Sequence, residues 1–394
     1  MTLATDYQNP GQRLLLISNG HGEDLNAAMI GAALQGPDCQ VDGMALVGSG
    51  LAYRQRGIPL IAPTRALPSG GFVYMHPWQL LRDVVSGLIP LLWQQWQAIR
   101  HQGSRYDLVV GVGDVYPLVL AALSGRPYVA FLISTSSYYE GRIRLPWLSW
   151  WLLRSRRCLR VLTRDAFTAK DLQQRGLAKA DYVGTPLLDA LSPGNQPLPR
   201  REGIPILLLL PGSRLPEALE NLRLLLRACE LAGSQYCYWV ALVAEITPRH
   251  LSQLDPNWTY VGERLVRGEV AVQCLWGQFG NALAACDCVL GMAGTAVEQA
   301  VGLGKPVLQI PGKGPQFTYR FAEAQQRLLG CSVQTFRSLP QLVAAIPQVL
   351  QDPAYQERCR RNGQERLGSP GGTARLAAAI REALNLGTSG VGKG

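Results

Sequence analysis

The sequence predicts an α/β chain of two domains, each a parallel sheet flanked by helices. Three observations predict it. Short apolar runs such as Leu14-Leu15-Leu16-Ile17 and Leu207-Leu208-Leu209-Leu210 alternate with helix-length stretches, as strands buried on both faces do in parallel sheets. The alternation occurs twice, and the Pro- and Gly-containing stretch Ser192-Pro193-Gly194-Asn195-Gln196-Pro197 separates the two series. The length, 394 residues, suits two domains at roughly 100–200 residues each.

The elements follow in order. Arg13 to Ser18 is a strand, Asn19-Gly20-His21-Gly22-Glu23-Asp24 a glycine turn, and about Leu25 to Leu34 a helix. Tyr106 to Val112 is a strand, followed by Gly113-Asp114, a helix from about Pro117 to Ser124, and a strand from Pro127 to Ile133. Val183-Gly184-Thr185-Pro186 closes the first half, giving a domain over 1–190 and a linker over 191–203. The second domain, 204–370, opens with strand Ile204 to Leu210, turn Pro211-Gly212-Ser213-Arg214 and helix Pro216 to Leu231. Strand Cys288 to Leu290, loop Gly291 to Gly294, helix Thr295 to Leu303 and strand Pro306 to Ile310 come later. The glycine-rich tail from Gly387 to Gly394 is expected to be disordered.

Composition narrows the classes. Hydrophobic residues make up 47% and charged residues 17%, which excludes a disordered chain. The net charge of +10 points to an anionic partner. The nine Cys are scattered through apolar stretches (Cys39, Cys158, Cys229, Cys237, Cys274) and are expected to be buried thiols in a reducing compartment. The one close pair, Cys286-Asp287-Cys288, has no second pair at zinc-ligand spacing, so no metal site is expected. Met1 to Pro10 lacks a signal-peptide pattern, and no apolar run reaches the roughly 18–20 residues of a membrane span. The expectation is a cytoplasmic protein that can touch a membrane from its inner face.

Four segments carry candidate chemistry. Strand-to-helix turns in parallel sheets place free N–H groups and a partial positive charge where a phosphate can sit. At Pro211-Gly212-Ser213-Arg214, Gly212 permits close backbone approach and Arg214 offers a bidentate cation; an ordinary turn with an exposed Arg is the simpler alternative. In Gly291-Met292-Ala293-Gly294-Thr295-Ala296-Val297-Glu298, small residues let a ligand lie on the backbone, and Glu298 can accept from ribose hydroxyls. Thr295-x-x-Glu298 also fits a capping box, which needs no ligand. Gly20, His21, Gly22, Glu23 and Asp24 place ionisable groups at the first strand tip, where His21 or a carboxylate can act as general base. Asp114, after Gly113, is a second base candidate or a helix cap. Neither a Gly-Lys-Ser/Thr P-loop nor the Gly-x-Gly-x-x-Gly dinucleotide fingerprint is present, which argues against an NAD enzyme.

One further segment stands apart. Residues 142–160 contain six Arg, three Trp and no acid, and include Arg144, Trp147, Trp150, Trp151 and Arg154. Upstream, Trp78 to Arg100 has helical apolar spacing with Trp93 and Trp96. Such segments suit the surface of an anionic membrane, or else two core helices whose Arg stems reach water. No nucleic-acid recognition module is visible.

Three segments together give a resemblance. Tyr182-Val183-Gly184-Thr185-Pro186-Leu187-Leu188-Asp189 resembles the domain-junction motif of the lipid-A-disaccharide synthase-related glycosyltransferases. Leu209-Leu210-Pro211-Gly212-Ser213-Arg214-Leu215-Pro216-Glu217 resembles their phosphate turn, and Ala293-Gly294-Thr295-Ala296-Val297-Glu298 their nucleotide turn. The resemblance implies the B-type glycosyltransferase fold, with two Rossmann-like domains facing across a cleft and the second binding the nucleotide. It implies a final helix over 371–387 that crosses back to the first domain. It carries Ser213 and Arg214 onto the diphosphate, Glu298 onto the ribose, and an essential acidic role onto Asp114. The chain departs from the family at Thr185, where the family has His, and in the first glycine turn, where it has Gly-Glu-Ala-Ser-Gly-Asp.

The function expected is inverting transfer of a sugar from a UDP-sugar to a lipid or lipid-like acceptor, without cofactor or metal. Asp114, His21 or Glu23 would take the acceptor proton, with Gly20, Gly22, Asp24 and Gly113 lining the acceptor side. Gly212, Ser213, Arg214, Met292, Ala293, Gly294, Thr295 and Glu298 would hold the donor. The alternatives are a nucleotide-sugar epimerase on the same fold and a non-catalytic nucleotide-sugar- or membrane-binding module.

Overall fold

Fourteen strands form two sheets in the structure, a computed structural model that describes residues 11–65, 88–191, 197–312 and 317–391. Side chains of His21, Leu88 and 387–391 are not among those described. The chain divides into two units. One runs to Pro186 and resumes at Gly371; the other is Leu187–Pro370.

Unit 1 contains β1 (Gln12–Ser18), α1 (His21–Leu34), β2 (Cys39–Ala45), α2 (Leu51–Arg54), α3 (Leu88–Gln102), β3 (Leu108–Val112), α4 (Val115–Leu123), β4 (Tyr128–Leu132), α5 (Trp147–Arg154), β5 (Cys158–Thr163), α6 (Ala166–Gln174) and β6 (Ala180–Asp181). Its six strands lie in the order β2-β1-β3-β4-β5-β6, every pair parallel. Alternation along each strand feeds two cores. Leu15, Ile17 and Val109 face one helical layer, with Ile99 of α3, Leu118 of α4 and Leu152 of α5. Leu14, Leu16 and Val110 face the other, with Ala27 and Ile30 of α1.

Unit 2 contains β7 (Ile206–Leu210), α7 (Glu217–Ala232), β8 (Cys237–Leu242), α8 (Pro248–Ser252), β9 (Thr259–Val261), β10 (Arg264–Arg267), β11 (Val270–Trp276), α9 (Phe279–Ala285), β12 (Cys288–Gly291), α10 (Thr295–Gly302), β13 (Val307–Gln309), α11 (Tyr319–Leu329), β14 (Val333–Thr335), α12 (Leu339–Gln351) and α13 (Pro353–Leu367). The sheet order is β14-β13-β12-β7-β8-β11-β10-β9. From β11 to β14 all pairs are parallel, with the doubly wound order that starts at the centre and reverses between β7 and β12. Contrary to the parallel sheet that the sequence predicts, β9, β10 and β11 form an antiparallel ribbon on one edge. Two-residue loops make it, Gly262-Glu263 with φ of 53° and 58°, and Gly268-Glu269. Positive φ at both positions of the first loop, and at Gly268 (56°) in the second, is the geometry of tight hairpin turns.

The last helix, α14 (Gly372–Val391), belongs to unit 1. Leu376, Ile380 and Ala383 bury against Leu14, Leu16 and Ile30, and Arg381 donates to the Ala33 carbonyl at 2.7 Å. This helix extends to Val391, so 387–391 is helical and not the disordered tail expected, while 392–394 lies outside the described residues. It begins against the end of unit 1's first passage: a Cβ on Gly372 would lie 2.0 Å from the Thr185 carbonyl oxygen.

Several boundaries move. α1 starts at His21, not near Leu25, because the acidic pair Glu23 and Asp24 suits a first helical turn. Cys158 to Arg160 is no part of a surface helix; it opens β5 at the unit 1 core. The stretch from Trp78 is described only from Leu88 onward, where α3 runs to Gln102, and 192–196 of the linker lies outside the described residues. All nine Cys are free; six are buried, while Cys39 and Cys237 are half-buried and Cys331 is exposed. No helix among the described residues is long and apolar enough to cross a membrane.

Helix packing in unit 2 yields a stability prediction. Gly363 of α13 sits where a Cβ would lie 2.1 Å from the Val301 carbonyl oxygen of α10. Gly363→Ala must push two helices apart, and should cost about 1–3 kcal/mol. Thermal unfolding should show a drop of about 2–4 °C per kcal/mol; an unchanged midpoint would refute the close approach.

Candidate functional site

Both sheets bring their candidate residues to the carboxyl edge, at the strand pair where the winding reverses. Ligands bind there in open α/β sheets because two loops part and leave a crevice. In unit 1 that pair is β1 and β3; in unit 2 it is β7 and β12.

In unit 1 the pairing Ser18↔Val112 sets the two following turns side by side. The first carries Asn19 to Asp24 into α1, the second Gly113 and Asp114 into α4. Gly113 has φ 128°, and a Cβ there would come within 3.3 Å of Glu23 Cγ, so the turn needs glycine both for conformation and for space. Asp114 caps α4: its Oδ1 accepts from the Tyr116 N–H at 3.1 Å and, in a longer contact, from Asn19 Nδ2 at 3.5 Å. The capping role is therefore real, and it coexists with a position beside Glu23.

Glu23 Oε1 accepts a 2.7 Å hydrogen bond from Ser134 Oγ, just beyond β4. Burial pushes the Glu23 carboxyl above its ordinary range; the Ser134 hydrogen bond and Arg164 pull it back, and the charge of Asp114 adds to the rise. Burial likewise raises Asp114, against the hydrogen bonds from Tyr116 and Asn19. Two adjacent carboxyls displaced upward in one crevice are candidates for exchanging a proton with a bound substrate.

Asp24 differs from the acceptor-side expectation. It is buried, and its Oδ1 accepts from Ser18 Oγ at 2.6 Å, with Tyr53 Oη 2.7 Å from the same Ser18 oxygen. Successive helical residues point about 100° apart, so Glu23 reaches the edge while its neighbour turns into the protein. Asp24 is a structural anchor of the turn. His21 opens α1, with its side chain outside those described.

In unit 2, the Met292 N–H donates to the Leu210 carbonyl at 2.8 Å, which joins the two turns at their roots. Gly212 has φ 99°, and a Cβ there would lie 3.4 Å from the Met292 carbonyl oxygen. The helix after β7 starts at Glu217, so Gly212 and Ser213 sit in a loop ahead of it and not at its N-terminus. The prolines at 211 and 216 bracket that loop and hold it off the helical path. Arg214 is half-buried in the same loop and Ser213 exposed.

The second turn enters α10 directly. Gly294 is the residue before the helix and no side chain caps it, so the Thr295–Glu298 capping box does not form. Thr295 is exposed and Glu298 half-buried in the first turn. Met292 and Ala293 are buried, so only their backbone can border a ligand. Gln325 of α11 braces this turn from below, donating to the carbonyls of Ala293 and Gly294 at 3.2 and 3.1 Å. Among the described residues no three His, Cys, Asp or Glu cluster as metal ligands would.

Ser134, Arg164 and Gln325 escaped the sequence reading. The strand before Arg164 was masked by the Arg- and Trp-rich run ahead of it. Nothing local marks Gln325, whose role depends on a fold contact.

The Trp- and Arg-rich segment forms α5. Ser149, Leu152 and Leu153 are buried, while Trp147 and Trp151 are 79% and 67% exposed. Trp150 lies half-buried under the guanidinium groups of Arg154 and Arg175, and Arg144 pairs with Glu140. α3 and α5 both pack on α4, and α3 exposes Ile89 and Trp93.

No family model matches the chain. The lipid-A-disaccharide synthase of Pseudomonas savastanoi pv. phaseolicola is 29% identical over 229 residues, 54% of this chain and 56% of that protein. The chain thus spans about half the length of the curated relatives it matches. Among solved structures, the calicheamicin glycosyltransferase CalG4 superposes with a TM-score of 0.61 at 17% identity, over 96% of this chain and 99% of that one. A putative UDP-N-acetylglucosamine 2-epimerase from Listeria monocytogenes gives 0.59 at 13% identity, over 95% and 97%. The chain is therefore related in sequence to lipid-A-disaccharide synthases, and its fold is the B-type glycosyltransferase fold that these transferases and epimerases share.

The buried Asp24 predicts a pH effect. Burial pushes its carboxyl up to about 7, and the charge of Glu23 adds to the rise against the Ser18 hydrogen bond. A carboxyl raised in the folded state binds more protons folded than unfolded, so its contribution falls as pH rises from the unfolded value through about 7, then levels. Asp24→Asn keeps an acceptor for Ser18 and removes the titration. Relative to wild type it should gain on the order of 1–3 kcal/mol between about pH 4 and pH 7. Denaturant unfolding across that range checks this; a difference independent of pH would refute it.

Proposed function

We propose that the chain transfers a sugar from a UDP-sugar to a hydroxyl of a lipid or lipid-like acceptor, with inversion at the anomeric carbon and without a metal. The observation that carries this reading is the joined pair of turns at the β7/β12 reversal, which match the phosphate and nucleotide turns of the resembling family. Arg214 and the backbone of Gly212 and Ser213 take the diphosphate, and Glu298 takes the ribose hydroxyls. In unit 1, the acceptor hydroxyl gives its proton to Glu23 or Asp114. Its oxygen forms the new bond to the anomeric carbon as the bond to the diphosphate breaks, and UDP leaves with that electron pair. Arg214 offsets the charge that develops on the leaving group. UDP as the nucleotide and a lipid as the acceptor rest on the relatives' names.

The lipid acceptor has a second support. The exposed Trp147 and Trp151 of α5, and the exposed Ile89 and Trp93 of α3, which packs on the same helix α4, have the character of residues that enter an anionic lipid interface. An epimerase of a UDP-sugar on the same fold is the competing reading, favoured by the Listeria neighbour. It would turn over the nucleotide sugar with no acceptor present.

Arg214→Ala and Glu298→Ala should each weaken UDP binding by calorimetry about 10-fold or more, as loss of a charge-assisted hydrogen bond does. Unchanged affinity in both would overturn the donor assignment. Glu23→Gln should leave UDP affinity intact and lower turnover about 10²–10⁴-fold in a radiolabelled-sugar assay. Replacing Trp147 and Trp151 together by Ser should release the protein from phosphatidylglycerol vesicles in flotation; equal flotation would remove the lipid-facing role from this surface.

A further inference from the structure

The segment that follows β4 is held unusually firmly for a connection. Ser136 Oγ donates to Asp165 Oδ2 at 2.7 Å, and Asp165 Oδ1 accepts from the Thr168 N–H at 2.6 Å. The Ser137 N–H donates to Thr168 Oγ1 at 2.9 Å, and Ser137 Oγ to Asp171 Oδ2 at 2.7 Å. The Ile143 N–H also donates to Asp171 Oδ2, at 2.6 Å. Ser136, Ser137, Asp165 and Thr168 are buried, so these bonds form away from competing water. Tyr138 stacks on Phe167 of α6 with ring centroids 4.7 Å apart. The network ties the connection to α6 and holds Ile143 in the core at its far end. Its nearest anchor, Ser136, lies two residues beyond Ser134.

We propose that Ser134 is a positioning residue for Glu23, held in place by the Asp165 and Asp171 anchors so that its hydroxyl aims one carboxylate oxygen of Glu23 and keeps that carboxylate ionised to accept the substrate proton. The inference rests on the transferase reading for what Glu23 does, but the pairing itself does not depend on it. Asp114 has its Oδ1 committed to the α4 cap, whereas Glu23 is presented by a hydroxyl on a fixed connection. The charged groups that face Glu23 are Asp114 from the β3–α4 turn and Arg164 from beyond β5, with Asp24 adjacent on α1 itself. Arg164 is buried and is in turn held by the Ile133 carbonyl at 3.1 Å, next to Ser134 in the chain. The β4 and β5 edges thus supply the two influences that favour the Glu23 anion, against burial and Asp114, which oppose it.

The test has two readouts. In the first, the carboxyl carbon of Glu23 is titrated by 13C NMR in the full-length protein, with Glu23→Gln to assign the signal. Ser134→Ala should move the Glu23 midpoint up by about one pH unit, the size expected for losing a hydrogen bond to a charged group. Ser134→Thr, which keeps the hydroxyl, should restore it. In the second, the acid limb of kcat/KM for sugar transfer should move up by the same amount in Ser134→Ala, with the KM for the UDP-sugar unchanged. A Glu23 midpoint that is the same in wild type, Ser134→Ala and Ser134→Thr overturns the inference, whatever the activity. If Ser134→Ala does not fold, a midpoint in Ser134→Thr displaced as far as in Ser134→Cys, whose thiol is a weak donor, overturns it too. A wild-type protein that transfers no sugar but shows the titration shift instead overturns the transferase reading and leaves the Ser134–Glu23 pairing standing.

Discussion

The backbone pairing of β12 with β7 is the constraint on which the proposed donor side depends. The loop sequences at Pro211–Pro216 and Gly291–Glu298 have no shared chemistry until Cys288↔Leu207 through Gly291↔Leu210 align the two strands. That register ends both strands at one level and lets the Met292 N–H reach the Leu210 carbonyl. Small residues then do the rest: Gly212 lies against the Met292 carbonyl, and a Cβ on Gly312 would lie 2.3 Å from Met292 Cε. A one-residue slip would turn every side chain of β12 over and separate the two turns. The equivalent pairing in unit 1, Ser18↔Val112, does the same for Glu23 and Asp114.

Because these strands are buried on both faces, polar side chains have few places to go except the sheet ends. The exceptions are instructive. Asp24 is buried, and the fold accommodates it with Ser18 and Tyr53. Asp165 and Asp171 are taken up by serine hydroxyls and backbone N–H groups. In each case a buried or half-buried acid is used to hold a turn, which is where a carboxyl group has the most N–H and O–H donors within reach. At the crevice, Glu23 accepts from Ser134 and Asp114 from Tyr116 and Asn19, and burial displaces both carboxyls upward.

Much of this organisation was legible in the sequence, for physical reasons. Ile206–Leu210 is apolar without interruption, which only a strand covered on both faces requires, and the glycine turns follow directly from such strands. The antiparallel edge was legible too, in the repeated Gly-Glu pairs at 262 and 268, but the dominant α/β alternation concealed it. Other features depend on three-dimensional placement. Glu23 and Asp24 are adjacent acids with identical local signals, and only the start of α1 at His21 decides which one is buried. Thr295 and Glu298 have capping-box spacing, yet the helix starts at Thr295 and leaves Gly294 before it. Ser134 is one of several serines after β4, and it is distinguished by a partner 111 residues away.

The proposed function has the β7/β12 reversal hold a nucleoside diphosphate sugar. Hydrogen–deuterium exchange of the full chain with and without UDP measures this most directly. Slower exchange confined to the backbone of 211–216 and 291–298 and its supporting α11 is the predicted result. UDP that binds by calorimetry while leaving both turns at their free exchange rates, or protects only residues elsewhere in the chain, would contradict it.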